Sequence, residues 1–190
     1  KMFLLVCVIL AVVNSIQGCS CPASYAQQQI CDAELVIQGR IVQSRGVPKY
    51  GPQDKIYKIF VEKVFHGDKA QENKMIEVKT PLSSAACGPV SLTKNDKYIL
   101  TVNQYDNAFS HNLCGYQKNL KDVTPELLQK ISTGYRKNCQ CEIPYAFGPP
   151  VMNPTGTQCG RAPSGCDYES LCAKVYGKCK WVGSCTASTT

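Results

Sequence analysis

The chain has 190 residues, 13 of them cysteine, with 21 Lys and Arg against 14 Asp and Glu and a formal net charge of +7. At 44% hydrophobic and 18% charged residues the balance is that of a globular protein, which excludes a collagen, a membrane array and a charge-dominated disordered chain. Basic residues are scattered, with Arg136-Lys137 the one adjacent pair, so no nucleic-acid partner is expected.

In chain order, residues 2–13 are apolar throughout, follow Lys1, and give way to small or polar residues up to Gly18. This run is too short to span a bilayer, so residues 1–18 read as a secretory leader cleaved after Gly18, and the chain as secreted, not membrane-spanning. The mature chain then begins at Cys19. Removing the leader removes Cys7, leaving twelve cysteines, an even number that suits disulfides in an oxidising compartment. A lipobox reading of Ile16-Gln17-Gly18-Cys19 would consume Cys19 and leave eleven. The same parity favours disulfides over zinc at Cys19-x-Cys21 and Cys139-x-Cys141. Spacing alone leaves the pairing open.

Residues 19–139 read as a mainly β domain with one helix. Residues 34–44 alternate, with Leu35, Ile37 and Ile41 on one face and Gln38 and Arg40 on the other. Gly39 falls on the inner face, where a missing side chain permits a bulge. Residues 56–65 place Tyr57, Ile59 and Val61 opposite Lys58 and Glu62; residues 75–80 and 97–103 supply two more strands. Four or five strands in this length predict a small closed barrel, because closure removes exposed edges. Thr124, Pro125 and the Leu127, Leu128, Ile131 stripe predict a helix over 125–133, ended by Gly134 and packed on the barrel. Residues 140–190 are rich in Cys, Gly and Pro and form a second, small disulfide-rich unit, with Tyr168, Val175, Tyr176, Trp181 and Val182 as its expected apolar filling and a frayed tail over 186–190.

Little in the sequence points to an enzyme. It has two histidines, no His-Glu-x-x-His, no Gly-x-Ser-x-Gly and no P-loop. His66 reads as a surface residue, and His111 could share a metal with Cys114 only if that cysteine were reduced. The predicted amino terminus, Cys19-Ser20-Cys21-Pro22, is the unusual feature. A free α-amino group titrates near 8, so its lone pair is accessible to a metal, and with the carbonyl oxygen of the same residue it closes a five-membered chelate. Two cysteines at positions one and three would hold that terminus to the body, or would merely stop it fraying.

Cys19-Ser20-Cys21-Pro22, residues 30–37 (ICDAELVI), residues 83–88 (SSAACG), Gly134-Tyr135 and Cys139-Gln140-Cys141 occur in an order that resembles the tissue inhibitors of metalloproteinases. The resemblance implies an N-terminal barrel of the oligosaccharide/oligonucleotide-binding type, the netrin-like module, followed by a smaller C-terminal unit. It implies the pairs Cys19–Cys87, Cys21–Cys114 and Cys31–Cys139. It also implies a wedge of Cys19, Ser20, Cys21, Pro22, Ala85, Ala86 and Cys87, with the Ser84–Cys87 loop beside the terminal strand. The amino and carbonyl groups of Cys19 would chelate the catalytic zinc of a matrix metalloproteinase or related zinc endopeptidase, and Ser20 would enter its primary specificity pocket. Residues 45–53 would touch the rim of the cleft. The chain itself would carry no cofactor; the zinc is the protease's.

The sequence departs from that family at residues 25–29 (YAQQQ), at Ala86, and after Cys141, where two closely spaced cysteines of the family are missing. Cys141, Cys159, Cys166, Cys172, Cys179 and Cys185 are expected to pair among themselves in an order left open. Extracellular matrix is a further candidate partner. The alternative to inhibition is a netrin-like matrix or receptor-binding module.

Overall fold

A computed structural model describes residues 18–22, 24–46, 54–105, 108–144, 156–163 and 165–183. Residues 1–17 of the expected leader, Cys185 and the tail lie outside the described residues. The strands are β1 (Leu35–Gly46), β2 (Asp54–His66), β3 (Met75–Pro81), β4 (Lys97–Tyr105), β5 (Ala108–Ser110), β6 (Gln117–Asn119), β7 (Leu171–Val175) and β8 (Lys178–Val182). Five of them close a barrel in the order β1-β2-β3-β5-β4, with β4 returning to β1 and β6 added beside β4. Pairing is antiparallel except between β3 and β5. The fold is thus mainly β with an OB-type five-stranded barrel.

The period-2 pattern explains the closure. Leu35, Ile37 and Ile41 of β1, Tyr57, Ile59 and Val61 of β2, and Leu100 and Val102 of β4 share the barrel core. Glu62 faces outward between Arg40 and Lys97. Gly39 marks the bend. The β1–β2 register slips between Gln38 and Gly39, and a Cβ there would collide with Ile59.

A second core lies outside the barrel and includes Ile30, Val36, Ile99, Tyr116, Leu127, Ile131 and Tyr135. The predicted helix is present but differs at its end. Thr124 caps α2 (Pro125–Gln129), accepting a hydrogen bond from the Leu127 N–H, and a π-helical turn (Lys130–Gly134) then leads into α3 (Tyr135–Lys137). Gly134 keeps right-handed helical dihedrals and does not terminate the run. Carrying on through it buries Tyr135 and brings Cys139 to Cys31.

The expectation of a single helix is corrected by α1 (Ala26–Asp32). Its three glutamines are held by distant backbone: Gln27 donates to Cys172 O (2.9 Å) and accepts from Cys172 N–H (2.9 Å), Gln28 donates to Ile143 O, and Gln29 to Cys114 O. The C-terminal segment docks on this side. The Glu169 carboxylate accepts from Lys118 (2.7 Å) and the Tyr116 hydroxyl (3.1 Å), while its carbonyl accepts from the Tyr135 hydroxyl (2.5 Å) and Lys130 (3.1 Å).

The β7–β8 hairpin is stapled by Cys141–Cys179 and Cys159–Cys172, and these cysteines with Ile143 make a third small core against which Tyr25 and Trp181 pack. Cys166 is also disulfide-bonded. Two aromatic residues expected as filling are not: Tyr176 is 98% exposed at the hairpin turn and Tyr168 is 46% exposed. Tyr176 has a positive φ at the turn, where its ring meets only the Lys180 ammonium (5.9 Å) among the contacts described, and the small core is built from the cysteines and Ile143 instead.

Candidate functional site

Cys19–Cys87 and Cys21–Cys114 bring residues 18–22, which form no strand, against the β3–β4 and β5–β6 loops. The Cα–Cα distances are 4.9 and 5.2 Å, and the Sγ atoms of Cys87 and Cys114 lie 3.3 Å apart. All four sulfurs fall within 4.8 Å of one another. They form two adjacent disulfides, so none is a thiolate ligand for a metal. The donors that remain at this point are main-chain atoms.

The partner loop is a 3-10 turn, Ser84–Ala86, capped by the Ser83 hydroxyl accepting from Ala85 N–H and closed by Cys87 in the left-handed region (φ 60°). Ser84 O accepts from both Cys87 N–H and Cys19 N–H, each at 3.2 Å. Cys87 O accepts from Leu113 N–H at 2.9 Å, tying in the second loop. Gly88 follows because a Cβ there would collide with the Pro81 carbonyl. Ser20, Cys21, Pro22, Ala85 and Ala86 are exposed; Cys19 and Cys87 are half-buried. Among the described residues no hydrogen bond reaches the Cys19 carbonyl oxygen. Cys19 therefore sits half-buried on a ridge whose flanking residues, Gly18 and Ser20, are exposed, held there by its bridge and by the bond to Ser84 O.

Of the rim residues 45–53, Arg45 bonds Glu77 at 3.0 Å, and residues 47–53 lie outside those described.

Behind the ridge, His111 is not a metal ligand beside a reduced cysteine. It is 4% exposed, with Nδ1 2.7 Å from Thr101 O and Nε2 3.2 Å from Gln117 Oε1, and Cys114 is in a disulfide. His66 is half-buried rather than a free surface residue. Burial pushes the His111 pKa down. The folded state therefore resists a proton that the unfolded chain takes up below about pH 6.5, so stability present above that value is lost as the pH falls. We expect the loss to reach up to about 1.4 kcal/mol per pH unit below 6.5. Urea unfolding at pH 7 and pH 5 checks this, with His111→Gln expected to show a smaller difference than the parent.

Sequence reasoning missed three residues here. Leu113 is 45% exposed beside Cys114, and Tyr168 and Gln29 meet through a 2.8 Å hydrogen bond from the Tyr168 hydroxyl. Burial, then the Glu169 carboxylate, push the Tyr168 phenol up to about 12, so it stays a donor. Leu113 had a local signal, a bulky apolar residue beside a bridge cysteine; the other two are separated by 139 positions and had none.

Among the described residues no helix is long and apolar enough to cross a membrane. Residues 17–185 match the family model described as tissue inhibitor of metalloproteinase. The chain is 28% identical over 151 residues to metalloproteinase inhibitor 4 of Rattus norvegicus, covering 75% of this chain and 66% of that protein. It is 24% identical over 147 residues to metalloproteinase inhibitor 3 of Xenopus laevis, covering 75% and 66%. Against the tissue inhibitor of metalloproteinase of Drosophila melanogaster it is 24% identical over 167 residues, covering 86% and 70%. The first two matches thus span about two thirds of the relatives' length.

Proposed function

The chain belongs to the tissue inhibitor of metalloproteinase family, and from that membership we propose that it is a secreted protein inhibitor of zinc metalloproteinases of the matrix type. The observation that carries the reading is the Cys19 segment: a half-buried residue between exposed Gly18 and Ser20, its N–H on Ser84 O, fixed by its own bridge to Cys87 and by the neighbouring Cys21–Cys114 bridge. Once the leader is removed after Gly18, that nitrogen is an α-amine.

The chain's own groups then do four things. The Cys19 amine and carbonyl offer a bidentate grip to the protease zinc, in place of the water that the metal would otherwise activate. Ser84 O, which accepts from the Cys19 peptide N–H at 3.2 Å, would hold one hydrogen of the freed amine and leave its lone pair for the metal. Ser20 extends from the ridge toward the primary specificity pocket, its short hydroxyl side chain entering without filling it. Pro22, Ala85 and Ala86 flank the cleft, and Pro22 presents no backbone donor. Preorganisation keeps the ordering entropy of this loop pair out of the binding free energy.

The chain needs no cofactor of its own in this scheme, and its bridges suit an extracellular setting. Titrating a matrix metalloproteinase catalytic domain with the disulfide-bonded chain starting at Cys19 tests the proposal. Stoichiometric loss of peptidase activity is expected. Undiminished activity at excess chain would overturn inhibition and leave the binding-module alternative.

A further inference from the structure

Five large apolar side chains are strongly exposed among the described residues: Met75, Tyr105, Leu113, Tyr168 and Tyr176. Two of the five, Leu113 and Tyr168, line one groove of about 560 Å³, whose near wall is Cys21-Pro22 of the wedge. An apolar pair walling a concave surface marks an interaction site more than single exposed residues do.

Both side chains are held in place. Tyr168 stacks on the buried ring of Tyr116 (centroids 6.3 Å apart, 15° between planes) and donates to Gln29 Oε1. Gln29 in turn donates to Cys114 O at 3.1 Å, so the C-terminal turn is tied to the bridge that anchors the wedge. Tyr168 O also accepts from Ala26 N–H at 3.0 Å, at the start of α1. Leu113 is fixed through its N–H to Cys87 O, on the other wedge loop. Tyrosine is enriched in binding hot spots, and a fixed apolar neighbour adds contact area that loses little entropy on contact.

We propose that the groove between Pro22, Leu113 and Tyr168 is a second contact for the same protease, taking an apolar side chain from the rim of its cleft. The inference rests on the inhibitory reading above, because a protease seated on Cys19 and Ser20 also overlies the groove, which shares Cys21 and Pro22 with the wedge. Among the described residues no lysine or arginine lines it, and the Asp167 carboxylate is engaged by Glu169 N–H and the Ser170 hydroxyl, which favours an uncharged occupant. The C-terminal segment would thereby add to affinity directly, through Tyr168.

The test uses the full mature chain and a matrix metalloproteinase catalytic domain, with Leu113→Ser, Tyr168→Ala and, as a control at the hairpin turn, Tyr176→Ala. Leu113→Ser and Tyr168→Ala are expected to weaken inhibition about tenfold each, mainly through faster dissociation, and Tyr176→Ala to leave it unchanged. Thermal unfolding shows whether each variant folds; should Tyr168→Ala not fold, Leu113→Ser decides. A parent that inhibits together with variants of equal potency overturns the groove and leaves the chelating wedge standing. A parent that sediments as a dimer dispersed by Leu113→Ser assigns the groove to a second copy and overturns the proposal. A parent that does not inhibit overturns both readings.

Discussion

Adding one alanine ahead of Cys19 is expected to reduce inhibition by at least about a thousandfold, equivalent to roughly 4 kcal/mol of binding. The change converts an amine into an amide, whose nitrogen has no lone pair to give a metal, and it pushes a carbonyl and a methyl group into the space the zinc would occupy. Stability is expected to stay at the parent value, because the added residue precedes the first bridge and at position 18, where it would stand, a Cβ meets no atom within 4 Å. Acetylating the amine should act in the same way. Inhibition constants and urea unfolding, measured side by side on parent and extended chain, check both halves. Retained potency in a correctly extended chain would remove the chelate from the account.

The second large effect is expected from Cys21→Ser/Cys114→Ser. This bridge closes a separation of 93 residues, for which the chain-entropy relation gives about 4 to 5 kcal/mol. Inhibition should fall as well, by at least about tenfold, since Cys21 and Pro22 would lose their tie to the barrel. The contrast is Cys159→Ser/Cys172→Ser. That bridge spans only 13 residues, the same relation gives about 3 kcal/mol, and the cysteines sit under the β7–β8 hairpin rather than at the wedge. Equilibrium unfolding and inhibition constants for the two double variants separate the roles. Equal loss of inhibition in both would contradict the division of labour.

The barrel was legible because its determinants are local. Alternation in β1 and β2 records which side chains face inward, and Gly39 records the place where the register slips. The end of the long helix was not, since Gly134 reads as a stop by its own propensity while burial of Tyr135 and Ile131 overrides it. α1 was invisible for a related reason. A seven-residue element with three glutamines shows only a short apolar pair, Ala26 and Ile30, and its glutamines are held by carbonyls at Cys114, Ile143 and Cys172. The residues 25–29 that depart from the family run are therefore among those that the C-terminal segment grips, beside the Glu169 contacts to Lys118, Tyr116, Tyr135 and Lys130. In the candidate site, the cysteines could be picked out by residue type and their pairing by the family resemblance. The Tyr168–Gln29 link that attaches a second surface to it could not, because it exists only after the chain has folded.

The most direct measurement replaces the zinc of a matrix metalloproteinase catalytic domain with cobalt(II) and follows its visible absorption during titration with the chain beginning at Cys19. Cobalt reports its own ligands, so replacing water by an amine and a carbonyl should change the spectrum and saturate at one equivalent, in step with the loss of activity. Activity that falls while the cobalt spectrum stays unchanged would mean that the chain blocks the cleft without touching the metal, and the chelating wedge would be wrong.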